Sequence, residues 1–156
     1  MAQQYPFLFT FLDKVEGNGY MAHVEVHGRL LAVDEGEDGW WMYGVEPGGV
    51  AAHGKTRTEA YTEFRKSVMR VLFDFAVEAN GEFHAFRKAA RQFFDEKNVP
   101  TEKEWQAARD EVRAGRVEIE GLRRETNESP RRIEITHKKT FAATGNAIDP
   151  AESVAA

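Results

Sequence analysis

Residues Gly49, Val50, Ala51, Ala52, His53, Gly54, Lys55 and Thr56 carry the spacing G-x-x-x-x-G-K-T. In nucleotide hydrolases that spacing lets backbone N–H groups hold phosphates while the Thr hydroxyl meets Mg²⁺. The chemistry needs a parallel sheet of βαβ units, with a Mg²⁺-holding Asp at the end of a strand beside the loop. Here the matching apolar run, "LLAVDE", comes before the loop and is joined to its strand by a tight turn. The loop interior reads as a strand, and Thr56 has another task as a helix cap, so nucleotide binding is not expected.

A second constellation is "HVEVH", in which His23, Glu25 and His27 stand at spacings of two. On a strand all three project from one face, where two imidazoles and a carboxylate suit a divalent metal. Alternating polar residues are also what the wet face of a half-covered sheet requires, and no further ligand is near in sequence. His53, His84 and His137 fall in other elements. Acid–base work by Asp34, Glu35 or Asp38 is weaker still, because acids in a turn are usually solvated. No serine stands in a nucleophile motif, and no catalytic residue, metal or cofactor is expected.

Trp40 and Trp41 pose a question of binding rather than of reaction. Adjacent strand residues face opposite sides, so one indole enters a core while the other can anchor a partner on the outer face; with three helices available to cover both sides of a small sheet, packing of both indoles under helices is the favoured outcome. Beside them lie Asp34, Glu35, Glu37 and Asp38. Residues 1–50 hold eight acids against two bases, whereas the whole chain has a net charge of −5. A field of that sign favours a basic partner over nucleic acid, although acidic surfaces are more commonly just solvated.

The elements that position these residues follow from periodicity. Phe7, Phe9 and Phe11 alternate with Leu8, Thr10 and Leu12. After "EGNGY", Tyr20, Ala22, Val24 and Val26 alternate with Met21, His23, Glu25 and His27, which predicts a hairpin over residues 5–27. "RLLAVD" and "WWMYGV" flank the turn "EGEDG", and "GVAAH" follows Pro47-Gly48, giving three further strands with turns between them. Such a run builds an antiparallel meander, since parallel neighbours need long crossovers. Thr56 to Glu59 is a capping box opening a helix with Ala60, Phe64, Val68, Val71, Leu72 and Phe75 on one side, closed by Asn80-Gly81. A second helix presents Phe83, Phe86, Ala90, Phe93 and Phe94. A third is expected to open with a box at Thr101–Glu104 and to bury Trp105, Ala108, Val112 and Ile119. A late strand is expected over 131–139 around Ile133 and Ile135, and a disordered tail over 141–156. The expectation is one α+β domain over 1–140, with a β-β-β-α core at 29–80, the hairpin 5–27 and added helices at 82–125.

The chain of 156 residues, with 42% hydrophobic content, can bury a core without staples. It has no cysteine, which excludes disulfides and thiolate zinc sites and suits a reducing compartment. No signal-like segment and no apolar run of ~20 residues is present, so a cytoplasmic protein without a membrane span is expected.

From Arg29 to Val71 the order of features resembles the HicB-like antitoxin family. The likeness consists of a strand, the turn "DEGEDG", the aromatic strand "WWMYGV", Pro47-Gly48 with Val50, and then Gly54, Thr56, Glu59 and Ala60 opening an amphipathic helix. The resemblance implies a degenerate ribonuclease-H-like sheet without catalytic residues, which binds and masks a small basic endoribonuclease toxin. For such a partner, the acidic charge and the adjacent tryptophans, rather than the resemblance, make Asp34, Glu35, Glu37, Asp38, Trp40 and Trp41 the candidate contact residues. Family members usually bind DNA as well. The helices around "KNVPT" could imitate a helix-turn-helix, and Arg123, Arg124, Arg131, Arg132, Lys138 and Lys139 are basic. Glu102, Glu104, Asp110 and Glu111 crowd the would-be recognition helix, so a protein partner is expected rather than DNA. A homo-oligomer is compatible with this pattern. The alternatives are a small metal- or nucleotide-dependent enzyme, or an orphan domain of the same fold with another protein partner.

Overall fold

Alternation and turn chemistry produce two long strands first. In a computed structural model, which describes residues 2–118 and 132–138, β1 spans Gln3–Gly17 and β2 spans Tyr20–Asp34. They pair antiparallel along their whole length, from Gln3 opposite Asp34 to Gly17 opposite Tyr20. The hairpin expected at 5–27 and the strand expected after Arg29 are therefore parts of one pairing. Gly28 carries β2 across the boundary: a Cβ there would stand 2.4 Å from the Glu46 carbonyl oxygen and 2.7 Å from the Phe9 ring. The close approach of a second backbone, rather than a break in the strand, accounts for this glycine. A register shift beside it, between Arg29 and Leu30, bends the strand where β3 begins to pair.

After a 3-10 turn at Gly36–Asp38 come β3 (Trp40–Glu46) and β4 (Ala51–Gly54), each antiparallel to its predecessor. Together they form the expected meander, β1-β2-β3-β4. The late strand, β5 (Arg132–Lys138), pairs with the first half of β2, from Met21 opposite Lys138 to His27 opposite Arg132. It thus lies on the same edge of β2 that β3 occupies further along.

Helix α1 (Arg57–Ala79) begins where Thr56 accepts a hydrogen bond from the Glu59 N–H at 3.1 Å. It ends where Asn80 and Gly81 take positive φ values, of 47° and 88°. Ala60, Phe64, Val68, Leu72 and Ala76 are buried against one sheet face, with Val71 and Phe75 on the flanks of that stripe. α2 (Phe83–Asp95) adds Phe86, Ala90 and Phe94 to the same core, which also holds Phe9, Phe11, Val24, Leu30 and Met42.

α3 (Val99–Arg113) covers the opposite face. The connection from α2 passes round the β3–β4 end of the sheet, where Gly48 N–H donates to the Glu96 carbonyl at 2.8 Å and Asn98 N–H to that of Val45 at 2.9 Å. The cap differs from the expected Thr101–Glu104 box: Asn98 accepts from the Thr101 N–H at 3.1 Å, and Pro100 lies in the first turn. Proline suits that turn because its missing N–H has no helical partner there. Trp105 and Ala108 close a smaller core with Leu31, Val33 and Val45, and Val112 is half-buried. Among the described residues, two helices on one face of the sheet and one on the other make an α+β fold. Ile119, the remainder of the helices expected to 125, and the tail 141–156 lie outside the described residues. No helix among the described residues is long and apolar enough to cross a membrane.

Candidate partner-binding face

The alternation of β3 decides where each tryptophan goes. Trp40 turns to the α1 side, where it packs on the larger core and its ring lies 5.7 Å from that of Tyr5. Trp41 turns to the α3 side and is half-buried there. Two residues along, Tyr43 faces the same way and stacks on it at 5.6 Å with planes 9° apart. The register of β4 puts His53 opposite Trp41, with ring centres 4.9 Å apart. The result is a row of aromatic rings at the β3–β4 edge of the sheet, beside α3.

Carboxylates surround this row. Burial pushes the Tyr43 hydroxyl above its ordinary pKa, and the nearby charges of Glu35 and Glu104 raise it further. A phenol in this setting stays neutral and keeps its proton to donate. Asp34 Oδ1 accepts from the Gly36 N–H at 2.9 Å, which ties this acid into the turn rather than aiming it at a partner. Glu37 and Asp38 are exposed in the 3-10 turn, and the Asp38 carbonyl oxygen lies 2.7 Å from His53 Nε2. The turn and the aromatic row are thus one connected surface of the half-buried Trp41 and Tyr43 rings and the exposed His53, with an acidic rim.

Behind it, an ion cluster fixes α3 to the sheet. Arg29 donates to the buried Glu46 carboxylate and, at 2.7 Å, to Glu102 of α3, which Lys97 also approaches at 3.3 Å. The Arg29 hydrogen bond holds the Glu102 carboxyl below its ordinary value. Burial alone would lower the Arg29 pKa, but its bonds to the two acids outweigh this and hold it higher. The guanidinium also lies 5.1 Å from the Trp105 ring centre, whose indole N–H donates to the Phe7 carbonyl at 3.3 Å. Each acid is engaged by the arginine, which ties α3 to β2 and β3.

The phosphate-loop spacing has a different structural basis. Val50, Ala51, Ala52 and His53 run into and along β4, and a Cβ on Gly54 would stand 2.4 Å from the Ala60 amide nitrogen. Gly54 therefore lets the first turn of α1 close down on the strand, and Thr56 caps that turn. His23, Glu25 and His27 alternate along β2 on the α3 side, with His27 Nε2 3.5 Å from a Glu25 carboxylate oxygen. Among the described residues, no group of three or more histidines, aspartates and glutamates is placed to hold a metal. His137 instead packs on Phe83, 4.9 Å between ring centres.

Sequence reasoning did not join Tyr43, His53 and Glu104 to this face. Tyr43 was within its reach, since it stands two residues from Trp41 on the same strand. His53 needed the β3–β4 register, and Glu104 needed the crossing of α3 to the second face. Comparison with protein-family models, with curated proteins and with solved structures finds no match to this chain.

Proposed function

We propose that this chain is a non-enzymatic binding protein of the HicB-like antitoxin kind, which masks a small basic endoribonuclease. The observation that carries this reading is the row Trp41, Tyr43 and His53 with Glu35, Glu37, Asp38 and Glu104 about it. Half-buried aromatic rings supply a large contact area at little cost in side-chain entropy, and such residues dominate interface energetics. A rim of one charge sign selects a partner of the other sign and speeds its approach. Neither feature performs a reaction. The likeness from Arg29 to Val71 supplies the partner class: a short basic protein whose RNA-cleaving groups are covered on binding.

The neighbouring reading frames are searched for a short basic protein, and mixing the chain with such a protein tests this reading; finding none would count against it. RNA cleavage by that protein should fall in proportion to the chain added and stop near equal amounts. Trp41→Ala should restore cleavage at the same concentrations. Cleavage that continues undiminished with the chain in excess would refute the antitoxin reading.

A further inference from the structure

Among the described residues β1 is paired on one side only, against β2, and no strand lies along its other edge. α3 reaches this strand at Phe7. From Phe9 onward the side chains on one face of β1 pack on the flank of α1: Phe9 meets Phe64 edge-on at 5.3 Å, and Asp13 lies 3.7 Å from Arg65. Here Asp13, Arg65, Lys66, Met69, Arg70 and Phe73 line a groove of about 490 Å³. An unpaired edge is a template for another strand, and proteins usually blunt it with charge or proline. β1 has Pro6 at one end and Asp13, Lys14 and Glu16 at the other, but nothing of the kind between Phe9 and Leu12.

The groove is basic in a chain that is acidic overall. Three cations stand against one carboxylate, and Arg65 is held in place with its guanidinium 5.2 Å from the centre of the Phe11 ring. Lys66 sits 3.2 Å from Glu63 on the solvent side of the helix, and Arg70 is exposed. Apolar surface accompanies the charge: Phe73 is 49% exposed beside Met69.

We propose that this groove binds an extended segment of another protein as an added strand on β1, with acidic side chains alternating with apolar ones. Alternate side chains of a strand are on the order of 7 Å apart. Lys66 and Arg70 are one helical turn apart, about 6 Å along the axis. Successive acids on the α1 side of such a strand therefore meet Arg65 with Lys66, then Arg70. A peptide can bond both the free N–H and C=O groups of the β1 edge, whereas a polyphosphate has no N–H to offer the carbonyls. This surface is at the opposite edge of the sheet from Trp41 and Tyr43, so it does not depend on the antitoxin reading.

The test uses a capped nonapeptide of alternating glutamate and valine, and the same peptide with lysine in place of glutamate. Both are titrated into the full chain at low salt. The glutamate peptide should bind about fivefold or more tightly than the lysine peptide. Lys66→Glu with Arg70→Glu should abolish or invert that preference without moving the melting temperature, since both side chains are exposed. Amide exchange in residues 9–16 should slow when the glutamate peptide is present. Equal binding of the two peptides, no binding of the glutamate peptide, a preference that survives the double reversal, or β1 amides already protected by a second copy of the chain would overturn the proposal.

Discussion

At the scale of single residues, the last threonine of the G-x-x-x-x-G-K-T spacing caps α1. Because the Thr56 hydroxyl accepts from the Glu59 N–H, Thr56→Ala should cost on the order of 1 kcal/mol of stability and Thr56→Ser almost nothing. Lys55→Ala should leave the urea midpoint unchanged, since Lys55 is exposed beyond the strand. ATP binding that vanishes in Lys55→Ala would reverse this assignment. Glu102 has a consequence for pH. The Arg29 hydrogen bond keeps its carboxyl below the ordinary 4.5, so the folded chain takes up this proton less readily than the unfolded chain. Its contribution to stability is therefore complete above that value and is lost as pH falls through the lowered pKa. Urea unfolding at a series of pH values should show the decline, and Glu102→Gln should flatten that part of the curve.

At the scale of elements, periodicity carried most of the information, and the remainder lay in contacts that no local pattern encodes. The stripe on α1 and its Asn80-Gly81 stop were legible because helix spacing, an N-cap and a left-handed end agree in one stretch. The length of β2 was not, because Gly28 looks like a break until the Glu46 backbone and the Phe9 ring lie against it. The start of α3 was displaced because Thr101 and Glu104 satisfy the capping-box pattern, while Asn98 performs the capping. That difference can be measured: Asn98→Ala should cost about 1 kcal/mol, and Thr101→Ala, with its side chain inside the first turn, much less. Equal losses would restore the sequence-based boundary. The acidic turn was legible as a turn, but not as the rim of a surface, because Tyr43, His53 and Glu104 arrive there from two strands and a helix.

At the scale of the molecule, the sheet separates two surfaces of opposite character: an acidic, aromatic one at the β3–β4 edge and a basic groove along β1. If the first receives a basic protein, reversing Glu35, Glu37 and Asp38 to lysine should slow association and remove most of its salt dependence. Folding should change little, since Glu37 and Asp38 are exposed and Glu35 lies at the turn. The most direct test of partner binding through this face compares the two adjacent tryptophans, which the alternation of β3 sends to opposite sides. With the basic partner captured and dissociation followed by stopped flow, Trp41→Ala should speed release about 30-fold, a loss of about 2 kcal/mol. Trp40→Ala, packed on Tyr5 under the α1 side, should alter stability but leave the dissociation rate of the folded complex near that of the unaltered chain. Equal effects of the two substitutions, or a larger effect at Trp40, would contradict this account.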